Sequence, residues 1–341
     1  MGREHRVRDI AVQAGLSETT VDRVLNERAG VSARARRQVG QAVHELDRQA
    51  AQIRLGGRTL MIDLVMQAPG RFTQAVRAAL ESALPGLRPA VLRARFALSE
   101  TASAAELTAT LDAIRKRGSQ GVILKAPDDP QVVEAVDRMV AAGIPVVTLV
   151  TDLPTSRRCA YVGIDNRSAG ATAAYLLTQW LGADPGGVLV TLSRGSFRGE
   201  EEREMGFRST LRRLSPGRPV VELAETDGLD TTIHGQTLAA LAADPGITGV
   251  YSIGGGNRAI VQAFADLDRP LRCFVAHDLD ADNVDLLRNG SLSVVLHHDL
   301  PTDLHRACQH LLVAHRLLPG VPASPSNLQP ITPYNLPSHL S

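Results

Sequence analysis

Polar side chains recur just beyond short apolar runs in this chain. Gln67 follows the run 60–66, Asp128 lies past 121–124, Asp152 past 145–150 and Asp165 past 161–164. Asn257 comes after 252–256, Asp278 after 274–277, and His298, with Asp299 beside it, after 294–297. If the runs are parallel strands, these residues stand at the carboxyl ends, where open α/β lobes bind their ligands. Carboxylates accept from vicinal hydroxyls and amides donate or accept, which is the chemistry of a polyol site. Each residue alone is more often a helix N-cap or a loop residue than a ligand contact; their recurrence is what points to a polar cleft.

A second pattern imitates an enzyme. Residues 254–259 read GGGNRA, after an apolar run and before a helical stretch, and Asp278 stands 24 residues beyond Gly254, much as in a dinucleotide-binding fingerprint. The corresponding alternative is an NAD-dependent oxidoreductase. No catalytic constellation accompanies it, since GxxxxGK[ST], HExxH and GxSxG do not occur in the sequence. His297, His298, His305 and His310 do not have metal-ligand spacing, and Cys159, Cys273 and Cys308 form neither a disulfide framework nor a zinc site. The expectation is a binding protein rather than an enzyme, with no cofactor and no metal.

From residue 60 onward, apolar runs alternate with stretches long enough for crossover helices, the pattern of βαβ units in parallel sheets. About 280 residues exceed one compact unit of this kind, so two lobes are expected. Residues 152–159, with Pro154 and two adjacent arginines, are the expected first crossing between lobes. Before residue 55 only short helical segments are legible. The predicted organisation is an all-α head over 1–46, a hinge over 47–58, a two-lobed α/β body over 59–318 and a proline-rich extended strap over 319–341.

The net charge of +1 hides an asymmetry. Residues 1–58 carry eleven Arg against seven Asp and Glu, whereas the rest carries 26 Lys and Arg against 29 Asp and Glu. A basic head suits phosphate neutralisation. The charged start has no apolar region behind it and no stretch reaches membrane-span length, so a soluble cytoplasmic protein without a membrane partner is expected.

Residues 7–26, VRDIAVQAGLSETTVDRVLN, have the spacing of a helix-turn-helix: Ala11 small at the crossing, Gly15 at the left-handed turn, Val21 packing the second helix back, and Ser17 as its N-cap. Val24 and Leu25 extend the inward stripe, and a third helix from Ser32 turns Val39, Val43 and Leu46 inward. Such a module docks proteins as readily as DNA, and the arginine surplus favours DNA.

Together with the following GVS and a helix ending in EL, these residues resemble the head of the LacI/GalR family of bacterial transcription regulators. The body is similar to that family's effector domain, which shares the fold of periplasmic sugar-binding proteins. The resemblance implies a homodimer or tetramer on a pseudo-palindromic double-stranded operator, acting as a repressor whose DNA affinity is set by a sugar-like or polyol effector. It places DNA contacts at Ser17, Glu18, Thr19, Thr20, Arg23 and Asn26, with Glu18, Thr19 and Arg23 reading bases. Glu18 is equally a carboxylate at the helix dipole. Asp22 stands where serine is usual, so it either pairs with Arg23 or Arg28 or narrows the range of operators. The hinge DRQAAQIRLGGR lacks the family's Tyr-x-Pro-Asn; Leu55 occupies the place of the minor-groove wedge, or else caps the third helix or touches the body. In the body, Arg203 heads a segment similar to the family's Arg-x-x-Gly-aromatic effector contact, the alternative being a surface ion pair with Glu200 or Glu204. Asp278 falls at an effector-binding aspartate, and His298 replaces a common Gln with a titratable contact. With Gln67, Asp128, Asp152, Asp165 and Asn257 these complete the expected effector site. A transport solute receptor would use the same cleft, but the helical head and the missing signal peptide oppose it.

Overall fold

A computed structural model describes residues 5–26, 28, 30–53, 59–88, 90–193, 196–226, 228–322 and 324–337. The head consists of α1 (Val7–Ala14), α2 (Glu18–Leu25) and α3 (Ala33–Ile53). Gly15 ends α1 in the left-handed conformation at φ 66°, and Ser17 caps α2 by accepting from the Thr20 amide. Ile10, Ala11, Val21, Val39, Ala42 and Leu46 form the buried core, with Val24, Leu25 and Val43 packed at its edge. The α3 helix continues through Ile53, so the first part of the segment expected to be a hinge is helical. Leu55 lies outside the described residues.

The first lobe runs β1 (Thr59–Gln67), α4 (Gly70–Ala83), β2 (Val91–Ser99), α5 (Ala104–Arg117), β3 (Val122–Lys125), α6 (Pro130–Ala141), β4 (Val146–Leu149) and β5 (Ala160–Val162). Its five strands lie in the order β2-β1-β3-β4-β5, all parallel. The second lobe runs α7 (Asn166–Leu181), β6 (Gly187–Thr191), α8 (Arg198–Leu214), β7 (Val220–Leu223), α9 (Asp230–Ala243), β8 (Ile247–Ser252), α10 (Asn257–Asp266), β9 (Cys273–His277), α11 (Ala281–Arg288) and β10 (Val294–His297). The chain then returns to the first lobe as α12 (Leu300–Ala314), whose Leu304, Ala307 and Leu311 join that lobe's core. It ends in the second lobe with β11 (Gln329–Ile331), antiparallel to β10, in the order β11-β10-β9-β8-β6-β7. Strands such as β1 and β3 are buried almost throughout because helices cover both faces, which is why they read as continuous apolar runs. Among the described residues no helix is long and apolar enough to cross a membrane.

Two details differ from the sequence reading. Residues 152–159 do not cross between lobes; they form a loop within the first lobe joining β4 to β5. Their polarity is spent locally, because Arg158 grips the Asp152 carboxylate with two donors. The first crossing is instead 163–165, the second 298–299, and the third passes Ser326, which pairs with Ile164 as an isolated bridge. The second difference is that the sequence reading anticipates neither β7 nor β2. Arg93 and Arg95 interrupt its apolar run, but Arg95 is buried against Asp63 of β1 through bonds of 2.9 and 2.7 Å.

Candidate functional site

The carboxyl ends of strands from both lobes converge on one inter-lobe cleft enclosing about 70 Å³ of free space. That is room for about five ordered waters at roughly 10–15 Å³ each. Gln67 closes β1, Lys125 closes β3, Val150 and Thr151 follow β4, Ser193 follows β6, and Asp278 follows β9; all line the cleft. The lobes meet through Arg71 Nε, 3.0 Å from the Asp280 carboxylate, and Arg71 Nη2, which donates to Gly228 O at 3.1 Å. The Gly199 amide donates to Thr151 Oγ1 at 2.9 Å and the Asp128 amide to Ser196 O at 2.8 Å.

Four expected effector residues come together here: Gln67, Arg203, Asn257 and Asp278. Arg203 is 3% exposed and donates from Nε to Asn166 Oδ1 at 2.8 Å; it is no surface ion pair, since Glu200 holds Ser193 and Glu204 holds Arg208. Four expected residues lie elsewhere. Asp152 is bound to Arg158 and Thr148 inside the first lobe. Asp165 caps α7 by accepting from the Ser168 amide and hydroxyl, at 2.9 and 2.8 Å. Asp128 faces Arg198 outside the cleft lining; burial raises its carboxyl above the ordinary value, against the pull of Arg198. His298 sits one layer behind Asp278, 1% exposed, with Nε2 3.6 Å from Asp278 Oδ1.

The sequence reading does not single out Arg71, Lys125, His277, Asp280 or, as a cleft residue, Glu200. Lys125 and His277 are the last residues of their strands, so the strand-end argument finds them when applied one to three residues earlier. Arg71 lies in the first turn of α4 and carries no sequence signal. Lys125 Nζ donates to Gln67 O at 3.0 Å and stands 4.0 Å over the Phe197 ring. Burial lowers its ammonium to about 8, opposed by the Glu200 and Asp278 charges. Burial, reinforced by Arg203, keeps His277 neutral, its pKa well below the usual histidine range. Burial alone would raise the Asp278 carboxyl, but His298 and Arg203 overcome it and hold the group below the usual carboxylate range.

Five polar atoms of cleft-lining residues are buried without a partner among the described residues: Gln67 Oε1, Arg203 Nη2, Asn257 Oδ1, His277 Nδ1 and Asp278 Oδ1. Buried polar groups are normally paired, so this set turns donors and acceptors towards whatever occupies the cleft. Phe72 from the first lobe and Phe197 from the second add apolar surface to the same walls. The glycine run that imitates a dinucleotide fingerprint serves packing. A side chain on Gly254 would meet Ser193 N at 2.2 Å, and on Gly255 would meet Arg71 Nη2 at 2.3 Å, so this chain's own atoms fill the space over it.

In the head, Ser17, Glu18, Thr19, Arg23 and Asn26 are exposed on or beside α2, and Thr20 is half-buried. Ser17 and Thr20 share a hydroxyl bond of 2.8 Å, so both also build the cap. Asp22 accepts from Asn26 Nδ2 at 2.7 Å and lies 3.5 Å from Arg28. The contact with Arg28 is one of the pairings expected for Asp22. Arg34, Arg36 and Arg37 stand exposed at the start of α3, whose first turn has no acidic residue. Cations at the positive end of a helix repel the dipole, so this end favours an external anion.

A family model of bacterial regulatory proteins of the lacI family matches residues 6–48, and a periplasmic binding protein domain matches residues 62–315. No curated protein matches the chain. Among solved structures, a glucose-galactose binding protein, GanP, from Geobacillus stearothermophilus aligns with TM-score 0.73 and 18% identity over 83% of this chain and 99% of that one. A solute binding protein of an ABC transporter from Burkholderia graminis C4D1M, in complex with D-arabinose, aligns with TM-score 0.73 and 19% identity over 83% and 98%. A third, from Agrobacterium vitis with bound D-fucose, gives TM-score 0.71 and 20% identity over 82% and 97%. At these identities the structures establish the fold of the body. With a lacI-type head in front of that body, the chain belongs to the LacI/GalR family of bacterial transcription regulators.

Proposed function

We propose that the protein is a regulator that holds operator DNA as a homodimer through α2 and the start of α3, and changes its grip when a neutral monosaccharide or related polyol enters the inter-lobe cleft. The carrying observation is the set of five unpartnered buried atoms, a mixture of donors and acceptors suited to hydroxyls that both give and receive. Charge supports a neutral ligand. Arg71, Lys125 and Arg203 face the cleft together with Glu200, Asp278 and Asp280, three cations against three carboxylates, and Glu100 adds a fourth acid at the wall. A phosphorylated sugar would bring two negative charges into this balance and would need desolvated cations to spare. By linkage, effector and operator must alter each other's affinity by one common factor.

Calorimetry of the full-length protein with D-glucose, D-galactose, D-arabinose, D-allose and D-fucose, followed by binding to genomic DNA fragments with and without the tightest of them, tests this reading. Arg203→Ala and Asp278→Ala are each expected to weaken sugar binding by about ten- to 100-fold, from the loss of a charged hydrogen bond of about 1.5–3 kcal/mol. Sugar affinity untouched by either substitution in a folded protein, or DNA binding without sequence preference, overturns it.

A further inference from the structure

His298 has no face on the cleft; it is buried directly behind the cleft carboxylate of Asp278. Its Nε2 lies 3.6 Å from Asp278 Oδ1, and its Nδ1 donates to Asp303 Oδ2 on α12. The other oxygen of Asp303 accepts from the Ser326 hydroxyl. His298 and Asp303 are each 1% exposed. The Ser326 amide in turn donates to Gly163 O at 2.8 Å, and Ser326 pairs with Ile164. One buried chain of contacts therefore starts at a cleft carboxylate and touches each crossing between the lobes: 163–165 through Ser326, 298–299 through His298 itself, and the third through Ser326.

We propose that Asp278, His298 and Asp303 form a buried charge relay that transmits occupancy of the cleft to all three lobe crossings, with His298 and Asp303 acting as positioning residues rather than as effector contacts. The proposal rests on the cleft being the effector site. Carboxylate, imidazolium and carboxylate alternate in sign, so each neighbour stabilises the next. Burial would lower the imidazolium, but its contacts with Asp278 and Asp303 outweigh that and raise it to about 9, which keeps the middle member charged at neutral pH. A hydroxyl donating to Asp278 withdraws negative charge from His298, which then leans on Asp303, and Asp303 holds Ser326. The crossing segments thus acquire a reason to shift that lies in the cleft.

Hydrogen exchange at the Ser326 amide in the full-length protein tests the relay without effector or operator, so its failure is separate from failure of the functional reading. Asp278→Asn is expected to speed Ser326 exchange by about tenfold or more, whereas Glu200→Gln, which removes a carboxylate from the same cleft but off the relay, leaves it within about twofold. His298→Gln, similar in size and without the charge, should match Asp278→Asn, and the double variant should exchange no faster than either single one. A merely structural histidine would give multiplying effects. Multiplying effects in the double variant, or Asp278→Asn and Glu200→Gln acting alike, overturn the relay. Should His298→Gln fail to fold, the comparison of Asp278→Asn with Glu200→Gln decides alone.

Discussion

Acidification from pH 7 to pH 5 is expected to tighten sugar binding, and Asp280 is the reason. Its carboxylate caps α11 and meets Arg71 across the cleft, so closing the lobes buries it. Burial raises its pKa from the ordinary 3.8 to about 6, only partly offset by the Asn283 amide and Arg71. An acid whose pKa is higher in the closed form makes closure proton-linked: closure gains as pH falls through about 6, and the gain levels off below the ordinary value of 3.8. With an open-form value of 3.8, the change from pH 7 to pH 5 favours closure by about 1.3 kcal/mol, roughly tenfold in affinity. In the closed form the neighbouring histidines do not titrate in this interval, since burial holds the cleft-lining His277 well below the usual histidine range and His297 at about 4, and the two carboxylates hold His298 at about 9. Calorimetry with the tightest-binding sugar across this range, on wild type and Asp280→Asn, is the assay. The substitution should flatten the profile. An affinity that stays level or falls on acidification, or a slope that survives in Asp280→Asn, refutes the reasoning.

Three further outcomes follow from the packing and the charges. Asp63→Asn leaves Arg95 and Arg117 facing a neutral amide in a 2% exposed position, and should lower stability by about 3–5 kcal/mol in urea unfolding; a loss below about 1 kcal/mol contradicts it. Gly170→Ala would place a Cβ 1.8 Å from Arg203 O, so it should cost about 1–3 kcal/mol and, by displacing Arg203, weaken sugar binding about tenfold in the protein that remains folded. Arg34→Ala should weaken operator binding uniformly across DNA sequences and reduce the slope of log affinity against log salt by about 1 per neutralised phosphate, which fluorescence anisotropy at several salt concentrations reads directly.

Legibility in the sequence tracks how local the physics is. Gly15 and Ser17 can be read directly because a left-handed turn and an N-cap are settled within four residues. The cleft residues at strand ends follow from a rule of topology, and the rule misses where the strand end is misjudged: Lys125 is the last residue of β3, three before Asp128. The crossing at 163–165 is hidden because its two flanks, 160–162 and α7, read as one continuous strand-to-helix unit of a single lobe. What no local pattern reports is pairing over distance. Arg95 looks like a break in a strand until Asp63 is beside it, and Arg71 looks like a surface arginine until Asp280 meets it from the other lobe.

The two lobes also solve one backbone problem in the same way. Val150 and Asp278, each directly after a strand facing the cleft, adopt left-handed conformations at φ 68° and 63°, a placement that costs a β-branched residue about 1–3 kcal/mol. In each case an asparagine amide holds the carbonyl of the left-handed residue: Asn166 donates to Val150 O at 3.2 Å, and Asn283 donates to Asp278 O at 2.6 Å. Each asparagine is gripped in turn by a cleft residue, Arg203 on Asn166 at 2.8 Å and Asn257 on Asn283 at 2.7 Å. Arg203 and Asn257 are also two of the cleft-lining residues with a buried atom that has no partner among the described residues. A ligand that filled those valences would fix the same side chains that keep two left-handed turns in place, one in each lobe, and so would join recognition to the backbone geometry on both sides of the cleft.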